Sequence, residues 1–337
     1  MPSARPRLRD VAEATGISEA AVSMSLRGLP GVSEETRRRV VRVAGDLGYA
    51  RNMAASTLAA SRSGLIGVVV GDLHNPFFAD LSDAISAVAE ASDLRVLLGT
   101  GHYDRRRELD ALETFRDLRA DGVIIVGARI GAKTIEEIDA QVPVVAVACL
   151  PRASKLDRVV VNDRLGSRLA TEHLIAAGHT DIAHIHGGTG AGGRERLAGF
   201  RDAMAAAGLP DDRIFGGAFT AEVGAKAAVE LMNEPPTGVV ACSDVVAWGA
   251  IAELTRHGIA VPDDISIVGY DNSSIAAPVG DFLTTIDGDR GALGRRAVEL
   301  LLERLDGRTE PILEVIAPRL VTRDSTRSTS TQPMEAP

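Results

Sequence analysis

The sequence predicts an all-α head built on a helix-turn-helix, followed by a larger, two-lobed α/β body with parallel sheets. Three observations carry this expectation. Val11 to Leu26, VAEATGISEAAVSMSL, reads as two short helices joined by a tight turn. From Leu65 onward, continuous apolar runs alternate with amphipathic helical stretches, as in parallel sheets covered on both faces. Charge is also unevenly divided. Residues 1–62 hold 10 arginines against 6 acids, a net of +4, while the remainder holds 27 basic against 40 acidic residues, a net of −13. A basic head on an acidic body fits nucleic-acid binding confined to one end.

Within the head, Ala12 is small enough for close helix contact and Gly16 can adopt the left-handed conformation of a sharp turn. Ser18 offers its hydroxyl as a helix cap, and Val22 with Leu26 forms an inward-facing i, i+4 stripe. Such a second helix is suited to the DNA major groove. A third helix is expected over Glu34 to Leu47, capped by Ser33 and ended by Gly48. It carries Arg37, Arg38, Arg39 and Arg42, which can serve as a solvated face or as phosphate contacts. Tyr49 to Ser61 can form about two helical turns capped by Asn52, too short to be stable alone.

The strand-like runs of the body are 65–72, 95–101, 122–128, 143–150, 158–163, 181–187, 238–244 and 265–271. Helical patterns such as Phe78 to Ala91 and Glu108 to Ala120 lie between them. The polar tail is expected to be disordered over 324–337. Cys149 and Cys242 both sit in apolar runs and read as buried small hydrophobes in a reducing compartment. No apolar stretch is long enough for a membrane span, and no secretory signal is visible, so a cytoplasmic location is expected.

Gly188, Gly190 and Gly193 spell G-x-G-x-x-G between a strand and a helix, and Asp211 or Asp212 follows about 20 residues on. This keeps an NAD(P)-linked oxidoreductase as the alternative function, although the motif lies mid-chain and Arg194 and Glu195 stand where a P-loop needs Lys and Ser/Thr. None of the seven histidines shows metal-ligand spacing. His184 and His186 share a strand face without a third ligand, so no metal, cofactor or catalytic residue is expected.

The words LRDVAEATGIS, AVS, VSEETRRRV, LGY and N-x-x-A-x-x-L resemble the head of the lactose-repressor (LacI/GalR) family of bacterial transcription regulators. NPFF (75–78), GH-x-x-IA-x-I (178–185), R-LAGF (196–200) and VGYDN (268–272) resemble that family's periplasmic-binding-protein-like effector domain. The resemblance spans residues 8–323. It implies a helix-turn-helix domain over 1–48, a hinge helix over 49–61, and an effector-binding and dimerisation domain over 62–323. Lobe crossings are implied near residues 161, 290 and 321. It also implies a homodimeric repressor of a pseudo-palindromic operator, switched allosterically by a small molecule in the cleft between the lobes.

DNA contacts implied by the resemblance are Leu8, Ser18, Glu19, Ala20, Ser23, Met24, Arg27, Thr36, Tyr49, Asn52, Ala55 and Leu58. The resemblance implies Leu58 as an apolar wedge in the minor groove. Ala21 and Met24 depart from the threonine and arginine of many relatives, which points to a different operator half-site. Arg51 and Ser56 depart from the usual proline and arginine. Effector contacts implied are Asn75, Phe77, Phe78, Arg196, Phe219, Asp244 and Asp271. The effector is expected to be a sugar, a sugar phosphate or a nucleoside-like molecule. Ala148 and Cys149, replacing an acid and a basic residue of sugar-binding relatives, argue against a simple pentose or hexose.

Overall fold

Residues 6–26, 28–49, 62–149, 155–274 and 282–329 are described in the computed structural model, and the chain divides into two units, Met1–Ser63 and Gly64–Pro337. In the first, α1 (Leu8–Thr15), α2 (Glu19–Leu26) and α3 (Glu34–Asp46) pack around Val11, Ala12, Val22, Val40 and Ala44. Gly16 ends α1 at φ +70°, its N–H bonded to the Ala12 carbonyl at 2.8 Å. A side chain in that conformation costs about 1–2 kcal/mol, so the turn between α1 and α2 depends on glycine. Ser18 accepts the Ala21 N–H at 3.3 Å, and Ser33 accepts that of Thr36 at 3.2 Å.

The arginine run of α3 is partly structural. Arg39 donates to the Thr15 carbonyl and Arg37 to the Leu29 carbonyl at 2.9 Å, while Arg38 pairs with Glu34 at 3.4 Å. Two of the four arginines thus tie α3 to the chain around the helix-turn-helix.

The second unit holds two sheets. The first lobe comprises β1 (Leu65–Val70), β2 (Arg95–Thr100), β3 (Gly122–Val126), β4 (Val144–Val147), β5 (Asp157–Val161) and β11 (Leu313–Ile316), ordered β11-β5-β4-β3-β1-β2 and parallel throughout. Ile66, Val68 and Val70 face a core shared with α4 (Pro76–Ala91) and α11 (Arg290–Leu305). Val69 faces the opposite core, with Phe115 of α5 (Arg105–Asp117) and Ile135 of α6 (Ala132–Asp139). A strand buried on both faces has no alternation to show, which is why these segments read as continuous apolar runs.

The second lobe comprises β6 (Ile182–His186), β7 (Ile214–Gly216), β8 (Gly238–Ala241), β9 (Ser266–Tyr270), β10 (Thr284–Asp287) and β12 (Arg319–Val321), ordered β12-β10-β9-β8-β6-β7. Among the described residues, its one antiparallel pair is β10 with β12. One face carries α7 (Asp163–Ala176) and α8 (Gly193–Ala206), the other α9 (Ala221–Leu231) and α10 (Asp244–Arg256). The chain crosses between lobes after β5, after β10 and between β11 and β12. The third crossing lies at 317–318, ahead of the expected 321, because β12 already begins at Arg319.

The tail also departs from expectation. Ser325 is fully buried, donating to the Ile267 carbonyl at 2.6 Å and accepting the Thr284 N–H at 2.8 Å. Thr329 donates its N–H to the Ala177 carbonyl. Residues 325–329 are thus ordered against β9, β10 and the end of α7, despite a polar composition, because their hydroxyls and backbone find partners there. The rest of the expected tail lies outside the described residues.

Ser325→Ala should cost about 1–3 kcal/mol in urea unfolding by leaving the Thr284 N–H buried and unpaired. No change would show that the segment contributes nothing. Buried His184, stacked on Phe200 at 5.0 Å, has its pKa pushed down to about 3 by burial. The unfolded chain therefore binds the extra proton, and stability should fall as pH drops from about 6.5 toward 3. The slope should exceed that of His184→Gln by up to about 1.4 kcal/mol per pH unit. Equal slopes would contradict this assignment.

Candidate ligand cleft and DNA-reading helix

The cleft opens where parallel strands of both lobes end at their carboxyl edges, the usual ligand position in such sheets. Its unfilled space is about 730 Å³, part of it open to solvent. From the first lobe come Asn75, Phe77 and Phe78 at the start of α4, Tyr103 after β2 and Arg129 after β3. The second lobe supplies Asp163, Arg196, Phe219, Tyr270 and Asp271, and Arg290 begins α11 at a crossing.

Each wall is set by local chemistry. Asn75 caps α4 by accepting the Phe77 N–H at 3.1 Å, with Pro76 opening the helix. Phe77 meets Phe78 edge-on at 5.3 Å, and Phe78 meets Tyr103 at 6.0 Å. Burial pushes the Tyr103 hydroxyl up to about 12, so it stays a neutral hydrogen-bonding group. Glu108 accepts the backbone N–H groups of Arg129 and Ile130 and thereby holds the loop that presents Arg129.

Arg196 is the centre of the second lobe's wall. Its guanidinium binds Asp163 at 2.8 Å and Asp271 at 3.3 Å, donates to the Cys242 carbonyl, and lies 3.6 Å from the Tyr270 ring centroid. Burial works against its charge, yet Asp163 and Asp271 keep it protonated well above the ordinary range. Burial in turn raises the Asp271 carboxyl, with Arg196 opposing the rise and Asp244 adding to it. One guanidinium thus serves two carboxylates in a buried cluster with one polar edge toward the cleft.

Of the expected effector contacts, Asn75, Phe77, Phe78, Arg196, Phe219 and Asp271 line this cleft. Asp244 does not. It is wholly buried beneath, accepting from Thr285 Oγ1 at 2.5 Å and from the Ser273 N–H at 2.7 Å, so it braces the loop after β9. Sequence reasoning missed Tyr103, Arg129, Asp163, Tyr270 and Arg290. Ala148 also lines the cleft, whereas Cys149 is buried and burial pushes its thiol up to about 11.

The glycine motif has a packing explanation. Gly188 sits at φ +64°, and a Cβ there would lie 2.1 Å from the Gly217 carbonyl oxygen. A Cβ on Gly190 would lie 2.6 Å from the Phe219 ring. The loop is glycine-rich because Phe219 and the 216–217 strand end press on it.

In the head, Glu19 and Ala20 are exposed, and Ser23 and Met24 are half-exposed. They lie on the face of α2 away from buried Val22 and Ser25, whose hydroxyl is turned back to the Ala21 carbonyl. Leu8 and Tyr49 pack against the head core, and the Thr36 hydroxyl is bonded to that of Ser33. Arg27, Asn52, Ala55 and Leu58 lie outside the described residues, as do Arg51 and Ser56.

A helix-turn-helix unit carried in one chain with a two-lobed ligand-binding body defines a ligand-responsive DNA-binding regulator. Residues 7–52 match the bacterial regulatory proteins of the lacI family, and residues 171–326 match the periplasmic binding protein-like domain. The HTH-type transcriptional repressor PurR of Vibrio parahaemolyticus is 32% identical over 330 residues, covering 95% of this chain and 98% of that protein. The regulator DegA of Bacillus subtilis is 31% identical over 331 residues, covering 96% and 98%. The crystal structure of the lac repressor dimer bound to operator and the anti-inducer ONPF has a TM-score of 0.83 at 27% identity, covering 96% of this chain and 100% of that one. The chain belongs to the lacI family of bacterial regulatory proteins. It is a DNA-binding transcription regulator with an effector-binding domain and not an enzyme, and the oxidoreductase alternative finds no support. Among the described residues, no helix is long and apolar enough to cross a membrane.

Arg196→Met should destabilise the body by about 3–5 kcal/mol in urea unfolding, because Asp163 and Asp271 lose their shared buried counter-charge. A loss below about 1 kcal/mol would contradict the central place given to Arg196.

Proposed function

We propose that this regulator acts in the cytoplasm as a homodimeric repressor whose operator affinity is set by an uncharged, ring-shaped polyhydroxyl ligand in the cleft, a sugar or a nucleoside-like molecule. The observation that carries the ligand class is the pinning of Arg196 between Asp163 and Asp271. A guanidinium held between two carboxylates offers no net positive charge to a phosphate, and Arg290 is held by Asp80 while Arg129 lies over the Tyr103 ring. The carboxylates and Arg290 can take up hydroxyl groups. Phe77, Phe78, Tyr103 and Phe219 supply apolar walls for a ring. A sugar phosphate, one of the ligands expected from sequence, fits this balance less well.

Two heads related by a twofold axis suit a pseudo-palindromic operator, with Glu19, Ala20, Ser23, Met24 and Arg27 reading base edges. Glu19 can accept from a cytosine amino group, and Ala20 or Met24 can contact a thymine methyl. Leu8, Ser18, Thr36 and Tyr49 would orient the head on the backbone, and Asn52, Ala55 and Leu58 would form the minor-groove hinge. The similarity to a transcriptional repressor and to the lac repressor bound to operator supports this reading.

A thermal-shift panel tests the ligand class, since a ligand at 100 times its Kd stabilises by about 2.7 kcal/mol. A neutral sugar or nucleoside should raise Tm, and the phosphorylated form of the same compound should raise it less. Preferential stabilisation by the phosphorylated form would overturn the assignment.

A further inference from the structure

We propose that Asp72, His74 and His102 form a site for one divalent transition-metal ion of the zinc type, on the two first-lobe loops that also supply Asn75 and Tyr103 to the cleft. Asp72 and His74 lie in the turn between β1 and α4, and His102 lies in the turn between β2 and α5. One ligand atom from each comes within 4.8 Å of the other two.

The distances suit such an ion. Tetrahedral zinc with bonds of about 2.0–2.1 Å places its ligand atoms roughly 3.3 Å apart. Asp72 Oδ1 lies 2.7 Å from His74 Nδ1 and 3.9 Å from His102 Nδ1, so the observed separations bracket that value. Small side-chain rotations bring all three onto one ion.

The outer nitrogen of His102 also has a fixed partner. This Nε2 is engaged by Thr100 Oγ1 at 3.1 Å, which turns Nδ1 toward Asp72. Metal-binding histidines are commonly held in this way, with the far nitrogen occupied by a fixed partner. The donor set of two imidazoles and one carboxylate favours zinc, cobalt or nickel over calcium or magnesium, which take oxygen ligands. The His74 side chain is 86% exposed and that of His102 43%, so entry is open and a further coordination position faces water.

The site unites residues 30 positions apart in sequence, and an ion there would clamp the turn bearing Asn75 to the turn bearing Tyr103. The proposal concerns the first lobe alone and stands whatever the effector proves to be.

The test is a Co²⁺ titration of the tag-free full chain after chelator treatment, followed through visible absorbance, with Zn²⁺ as competitor. The wild type should bind one equivalent. His102→Ala and His74→Gln should each abolish saturable binding, with metal-free melting temperatures like the wild type's. Thr100→Ala should weaken binding about 10–100-fold. His257→Ala, remote on the second lobe, should bind as the wild type does. Absence of saturable binding, or wild-type titration by both His74→Gln and His102→Ala, would overturn the proposal.

Discussion

The buried charge of Arg196 is the constraint around which the body is arranged. An isolated guanidinium at that depth would be prohibitively costly, so it must have counter-charges, and they come from two different strand ends. Asp163 follows β5 at the first lobe crossing, and Asp271 follows β9. The requirement fixes the relative placement of α7, α8 and the end of β9, and the stacked Tyr270 fills the space beneath. Gly166 on α7 makes room for that ring, since a Cβ there would meet the Tyr270 hydroxyl at 2.4 Å.

From this cluster a polar chain runs across the cleft. Arg290 donates to the Asp271 carbonyl and faces Asp80 of α4 at 3.4 Å. Asp80 also accepts the Ser274 N–H at 2.7 Å, so the first lobe's α4 is tied to the second lobe's loop after β9. Separating the lobes here would break these contacts, and on the proposed function a ligand spanning Asn75 and Asp271 would favour keeping them. A ligand can shift the lobes only through such differential contacts. On the proposed function, Asp80 would couple lobe closure to ligand occupancy from outside the residues that line the cleft.

Much of the fold was legible because the central strands are buried on both faces. All eight apolar runs are strands, and Ser18, Ser33 and Gly16 act as read. The four strands left unread have physical reasons. β7 and β12 have only three residues each, β10 begins with two threonines that are buried yet polar, and β11 exposes Leu313 and Val315 at a sheet edge. The tail's polar composition hid Ser325, whose partners lie on β9 and β10.

The cleft was legible where one contiguous word carries it, as in the NPFF segment and at Arg196. Tyr103, Arg129 and Asp163 come singly from separate loops, and no spacing announces them. The same holds for Asp72, His74 and His102, which only the adjacency of β1 and β2 brings together. Asp244 shows the opposite error, a strand-end acid read as a ligand contact that turns inward as a brace. The most direct measurement is operator affinity with and without saturating cleft ligand, in the wild type and in Asp80→Ala. Coupling through Asp80 requires that the ligand shift wild-type affinity by about 5–150-fold, and that the shift shrink markedly in the variant while the ligand still binds. An equal shift in both proteins, or none in the wild type, would contradict it.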